Sequence, residues 1–240
     1  MNCIQAYARK RLAPLRDESL FRVLATDISA VRTLQILPYV TFWSMVFQDI
    51  IALNLQRVSD PRLRAIVQTH HDEDIGHNNW LAADVRLIYR ELPDVMAVFD
   101  TAYFRAREIS YAFMAEVYRA ESDCERVTLP IVLEEGGKIF LPALIEHFRR
   151  AGLGGHLKAL GHDHVQTEAN HQLHGDVVAE TLGAMELPDD VRARAIAMID
   201  RAYATFSRFA NVLYDVITAT SCDESRIRTR LQELAPSTNW

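Results

Sequence analysis

The stretch His164-Val165-Gln166-Thr167-Glu168-Ala169-Asn170-His171 decides how this chain is read. At about 100° per residue, Glu168 falls roughly 40° to one side of His164 and His171 roughly 20° to the other. On a helix, two imidazoles and a carboxylate would therefore leave one narrow strip. An earlier run repeats the pattern, with His70 and His77 on one strip and Glu73 or Asp74 turned inward beside them. Two such strips predict a metal site shared between facing helices.

The chain around these runs is helical in period. Asp17-Glu18-Ser19 supplies capping chemistry before a first helix. Leu34 to Arg57 reads as a long helix, apolar on nearly every side, with Pro38 near its start or bending it. Ser59-Asp60-Pro61 is a cap followed by proline at the first helical position, and predicts a helix to about Arg90 that carries the first histidine strip. Leu92-Pro93-Asp94 separates it from a helix running to Glu121, and Thr128-Leu129-Pro130 opens one that contains Glu134 and Glu135. The glycines at 152, 154 and 155 follow no strand, so they read as a helix C-cap and connector rather than a phosphate loop. A helix from Gly155 to about Met185 would carry the principal motif, and Leu187-Pro188-Asp189 starts the last long helix. No period-two strand stands out. The expectation is one all-α domain over 1–240, a single bundle of seven to eight helices with its core at about 15–220 and a short polar helix and tail at 221–240.

Composition narrows the function. Apolar residues make up 49% of the chain, enough for a well-packed core, while glycine and proline are sparse. The net charge is −6 and the basic residues form no stripe, which disfavours nucleic-acid binding. Cys3, Cys124 and Cys222 lie far apart with no CxxC pair, so a disulfide framework or zinc–thiolate site is not expected. The N-terminus lacks the apolar core of a signal peptide. The most apolar window, Leu34 to Leu53, contains Pro38, Gln48 and Asp49, so it reads as a buried core helix rather than a membrane span. A soluble cytoplasmic protein is the expectation.

Within the polar run His70-His71-Asp72-Glu73-Asp74, His77 is the leading ligand, Glu73 and Asp74 are alternative carboxylate partners, and His70 is a ligand or a donor behind one. A helical wheel puts Glu134 beside Leu141, Ile145 and Phe148, whereas Glu135 shares its side with Lys138, Glu146 and Arg149. Glu134 is thus the expected ligand and Glu135 the expected surface residue, with an ion pair to Lys138 as the structural alternative for Glu134. His174, one turn beyond His171, is a further candidate. Each run also has a plain structural explanation as a solvated polar face. Imidazole and carboxylate together suit iron, manganese or zinc.

An acidic run ending in His77, Glu134 on a later helix, and His164-x3-Glu168-x2-His171 together resemble the haem-oxygenase-like superfamily. That superfamily includes thiaminase-type enzymes and pyrroloquinoline-quinone synthase, and the chain is most similar to its di-iron oxidases and oxygenases. The resemblance covers roughly residues 15 to 220; the last motif departs from it in having Glu168 where Asp is commoner. It implies a haem-oxygenase-like bundle in which His77, Glu134, His164, Glu168 and His171 hold two irons per chain, as Fe(II)/Fe(III), with Mn or Zn as substitutes. The family's further carboxylate has no counterpart in the preceding helix except Asp49, which leaves Glu73 or Asp74 for that role.

The expectation is an O2-activating non-haem oxidoreductase acting on a small organic substrate such as an amino acid, fatty acid or biosynthetic intermediate. Homodimers are common in the superfamily, which adds a homodimer to the expectations. One rival keeps the fold without the metal, as a thiaminase-like or cofactor-less enzyme. Cys124 is its only candidate nucleophile, and flanking Asp123 and Glu125 should raise that thiol's pKa. The other rival is a non-catalytic helical binding protein.

Overall fold

A computed structural model of the chain describes residues 2–168, 176–219 and 224–234. The described residues are all-α and contain no strand. The helices are α1 (Asn2–Leu12), α2 (Ser19–Leu24), α3 (Ala30–Thr33), α4 (Leu37–Gln56), α5 (Pro61–Asp74), α6 (His77–Tyr89), α7 (Val95–Val98), α8 (Phe104–Arg119), α9 (Asp123–Arg150), α10 (His162–Glu168), α11 (Asp176–Gly183), α12 (Asp189–Thr218) and α13 (Ser225–Leu234). These are more segments than the seven or eight expected: α1 precedes the first expected helix, and the helices expected over 61–90 and 94–121 are each divided.

The interruption that matters most falls between α5 and α6. The sequence predicts one helix from Pro61 to about Arg90; instead Ile75 is extended (φ −62°, ψ 127°) and Gly76 is left-handed at φ +91°. Glycine takes that conformation without a Cβ penalty. The break is held from outside by Gln48 of α4. Its Nε2 donates to the Asp74 carbonyl at 3.3 Å, and its Oε1 accepts from Gly76 N–H at 2.9 Å. One side-chain amide thus satisfies two backbone groups that a continuous helix would have satisfied itself.

The expected Asp94–Glu121 helix likewise divides, into α7 and α8 with a single tight turn between them. The segment from Gly155 onward is not one helix either: turns fill 151–161 and α10 begins only at His162. Conversely α9 is longer than predicted. It starts at Asp123, where Ser122 and Glu125 form a reciprocal capping box, so Pro130 and Pro142 both lie within it. Pro38 does sit at the start of α4, and α12 begins where Pro188-Asp189 predicts.

Around the core, α4, α8, α12, α9 and α5 follow one another in a closed ring, each packed on the next. α6 packs on α4, α10 on α9, and α1 on both α9 and α12. At one end of the ring, buried Glu116 of α8 accepts from Arg201 of α12 at 2.9 and 2.7 Å, a forked ion pair that fixes the register of those two helices. The segment 30–56 is long and apolar enough to cross a membrane by composition, and a third of its most apolar window is buried inside the protein. Its apolar residues face both the core and a cavity inside the ring, which accounts for a helix without a polar side.

Two adjacent glycines on α9 serve different ends. A Cβ on Gly136 would lie 2.4 Å from Cε2 of Phe206, so only glycine lets that ring of α12 seat against α9. A Cβ on Gly137 would meet nothing within 4 Å. Gly136→Ala should therefore destabilise the protein by about 1–3 kcal/mol through overpacking, while Gly137→Ala should stabilise it by about 0.5–1 kcal/mol through helix propensity. Urea denaturation of the two variants checks this, and equal effects would contradict the assigned packing.

Candidate metal centre

Three buried side chains meet where α5 faces α9. His70 and Asp74 stand one turn apart on α5, and Glu134 projects from α9. Each offers one ligand atom within 4.8 Å of the others. His70 Nε2 lies 3.1 Å from Asp74 Oδ2 and 3.5 Å from Glu134 Oε1. The side chains of all three are 2–6% exposed. The edge of the His70 ring packs against Phe47 of α4, with centroids 6.0 Å apart.

The break after Asp74 puts a second group on its other oxygen. His77 is the first residue of α6, and its Nδ1 lies 3.2 Å from Asp74 Oδ1. Trp80, one turn on, stacks on the His77 ring at 4.5 Å and 21°. His164 of α10 meets His77 edge-to-face at 5.1 Å and Trp80 at 5.3 Å. Asp74 therefore stands between His70 and Glu134 on one side and His77 and His164 on the other.

The orientation of His164 is set from behind. Its Nδ1 lies 2.6 Å from the Ala159 carbonyl. A carbonyl only accepts, so Nδ1 carries the proton and Nε2 carries the lone pair of the neutral ring. Asp84 of α6 holds the loop that supplies that carbonyl, accepting from Lys158 N–H at 2.6 Å and Leu160 N–H at 3.0 Å. Burial raises the Asp84 pKa above the usual carboxylate range, against the lowering effect of these backbone donors. The same loop explains Gly161, whose Cβ would collide with the Leu157 carbonyl.

Of the ligands expected from sequence, the structure brings together His77, Glu134 and His164, along with His70 and Asp74. Glu73 is half-buried and lies outside both the buried group and the cavity lining. Glu135 pairs with Lys138 at 3.2 Å, so the lysine contact weighed for Glu134 belongs to its neighbour. The Glu168 backbone closes α10, but its side chain lies outside the described residues, as do His171 and His174. Sequence reasoning missed Asp84 and Gln48 as supports. Asp84 carried no motif; Gln48 was visible only as a polar residue in an apolar helix. Cys124 lies away from the cavity lining. Burial, then the charges of Asp123, Asp60 and Glu125, push its thiol pKa up despite the N-terminal ammonium, which makes it a poor nucleophile.

The donor set fits a divalent transition metal. It is all imidazole and carboxylate, which suits iron, manganese or zinc. Like charges about 4 Å apart repel by about 4 kcal/mol at an effective dielectric near 20, so two ionised carboxylates this close favour a shared cation. The three buried donors come from two helices, α5 and α9, with His77 at the start of α6 and His164 of α10 beside them.

Asp84→Ala removes two hydrogen bonds to a carboxylate and should cost about 3 kcal/mol of stability. In the wild type at pH 8, long-range proton–nitrogen NMR should show His164 protonated at Nδ1, and Asp84→Ala should mix the two tautomers. An Nε2–H tautomer in the wild type would contradict the assigned relay.

No known protein-family model matches the chain, and a comparison with curated proteins finds no match.

Proposed function

We propose that the chain is a non-haem, O2-activating oxidoreductase built on a haem-oxygenase-like bundle, with two metal ions, iron first among them, held around Asp74. The observation that carries this reading is the position of Asp74. Its two oxygens face different histidines, His70 and His77, and Glu134 stands across from it on α9. A carboxylate with a nitrogen donor on each side would hold metal on either side of it.

In this reading His70 and Glu134 serve one position, His77 and His164 the other, and Glu168 and His171 complete the set. Ferrous iron, once bound there, would be the source of electrons for reducing O2. The protein contributes the rest. Trp80 holds the His77 ring in place, and the Ala159 carbonyl keeps the His164 lone pair on Nε2. Trp43, Phe47, Phe140 and Phe206 keep the cavity above the cluster apolar and exclude water from the reacting groups. Oxidation, hydroxylation, N-oxygenation and oxidative C–C cleavage are all within this chemistry, and a small molecule and O2 are the partners.

The test is metal stoichiometry. Protein loaded anaerobically with Fe(II) and desalted should retain about two irons per chain. Asp74→Ala should retain fewer than one, because Asp74 serves both positions. His71→Ala should match the wild type, because His71 pairs with Asp72 away from the cluster. Glu168→Ala and His171→Ala probe the remaining ligands. Iron near one in the wild type would point to a single-metal centre, and no retention would sink the reading.

A further inference from the structure

The ring of helices surrounds a half-open pocket of about 160 Å³ above the carboxylate–histidine cluster. It is comparable with the roughly 150 Å³ apolar cavities that admit a benzene ring. Its chemistry is segregated. Asp74, His77, Glu134 and His164 form the floor, and the walls are largely aromatic and aliphatic. Phe140 and Phe209 stack with centroids 5.7 Å apart and a 25° tilt, and Trp43 stands 6.0 Å from Phe209. Among the described lining residues there is no lysine and no arginine. The walls therefore offer no fixed positive charge to a carboxylate or phosphate, and without a bound cation the floor's carboxylates offer none either.

We infer that this cavity binds an uncharged molecule with the bulk of one aromatic ring, and that Gly137 sets the room available to it. Gly137 lines the cavity one turn beyond Glu134, and an added Cβ there would meet nothing within 4 Å. Its neighbour Gly136 is filled by Phe206, so the pair divides the labour: one glycine admits a wall of the cavity, the other leaves it open. A side chain at 137 would extend into the ligand's space without straining the helix. As a statement about substrate, the inference rests on the oxidative reading above; as a statement about binding, it rests on the cavity alone.

The experiment uses the full chain freed of metal by a chelator, so that benzoate has no cation to ligate, with toluene and phenol as neutral probes and benzoate as the charged counterpart. Isothermal titration should show the neutral probes binding at least roughly tenfold more tightly than benzoate, since a buried charge without a partner is strongly disfavoured. Gly137→Leu should weaken toluene binding roughly tenfold or more, and Gly137→Ala by a smaller factor. Circular dichroism verifies that Gly137→Leu folds. Should it not fold, nuclear Overhauser contacts in the wild type decide the matter, because toluene should touch Phe140 and Phe209. Benzoate binding as tightly as toluene, unchanged affinity in a folded Gly137→Leu, or contacts confined to other residues would each overturn the inference. Iron retention measured on the same variants separates the two claims. Loss of ring binding with two irons retained leaves the metal reading intact, and ring binding in a protein that retains no iron refutes only the metal reading.

Discussion

Everything at the centre of this molecule depends on one side-chain amide crossing from α4 to a helix break. Gln48 satisfies the Asp74 carbonyl and the Gly76 N–H together. Unsatisfied, a fully buried backbone group costs about 1–3 kcal/mol, and these two partly buried ones would cost a share of that. With Gln48 in place the chain turns at Gly76, α6 leaves in a new direction, and His77 comes to the far side of Asp74. A straight helix would put His77 and Asp74 on one face three residues apart, both directed the same way. The break is what lets one carboxylate lie between two histidines that come from different helices.

Burying that cluster is costly, and the surrounding packing is arranged to bear it. Isolated charges in a protein interior carry a desolvation penalty of several kcal/mol each. His70 is buried between Asp74 and Glu134, so its contacts with the two carboxylates offset part of that penalty, and a divalent cation would offset the repulsion between the carboxylates themselves. The walls do the opposite work. The aromatic side chains of α4, α8, α9 and α12 interlock through edge, tilted and stacked contacts at 4.8–6.5 Å, which fixes the cavity's shape largely by apolar packing. A polar floor under an apolar vault follows directly from which helices face inward: α5, α6 and α10 supply the floor, α4 and α12 the vault, and α9 contributes to both.

The all-α character was legible because apolar residues recur at helical spacing nearly everywhere, and the choice of Glu134 over Glu135 was legible because their wheel neighbours differ so sharply. The choice between Glu73 and Asp74 was not. It depends on where α5 ends, and the ending is decided by a contact with Gln48, twenty-eight residues away in sequence for the Gly76 bond. Within the run, Ile75-Gly76 was the only local hint. His70 was hidden for a related reason: a polar run of five residues looks solvated, and only the approach of α9 makes its first and last members core residues. Pro130 misled in the other direction. Proline usually marks a helix start, but the Ser122–Glu125 capping box is the stronger signal and begins α9 earlier.

The loop before α10 follows the same logic as the break after α5. In both places the backbone leaves helical geometry, and in both a side chain from a neighbouring helix takes over the lost hydrogen bonds: Gln48 for 74–76, Asp84 for 158–160. The consequence is also shared. Each departure delivers one histidine, His77 or His164, to the same side of Asp74, where a regular bundle of this connectivity would have carried it past. The two rings then meet each other and Trp80. Irregular backbone thus flanks the cluster on both sides while the ring of long helices stays regular, as expected if these departures aim side chains and the ring holds them.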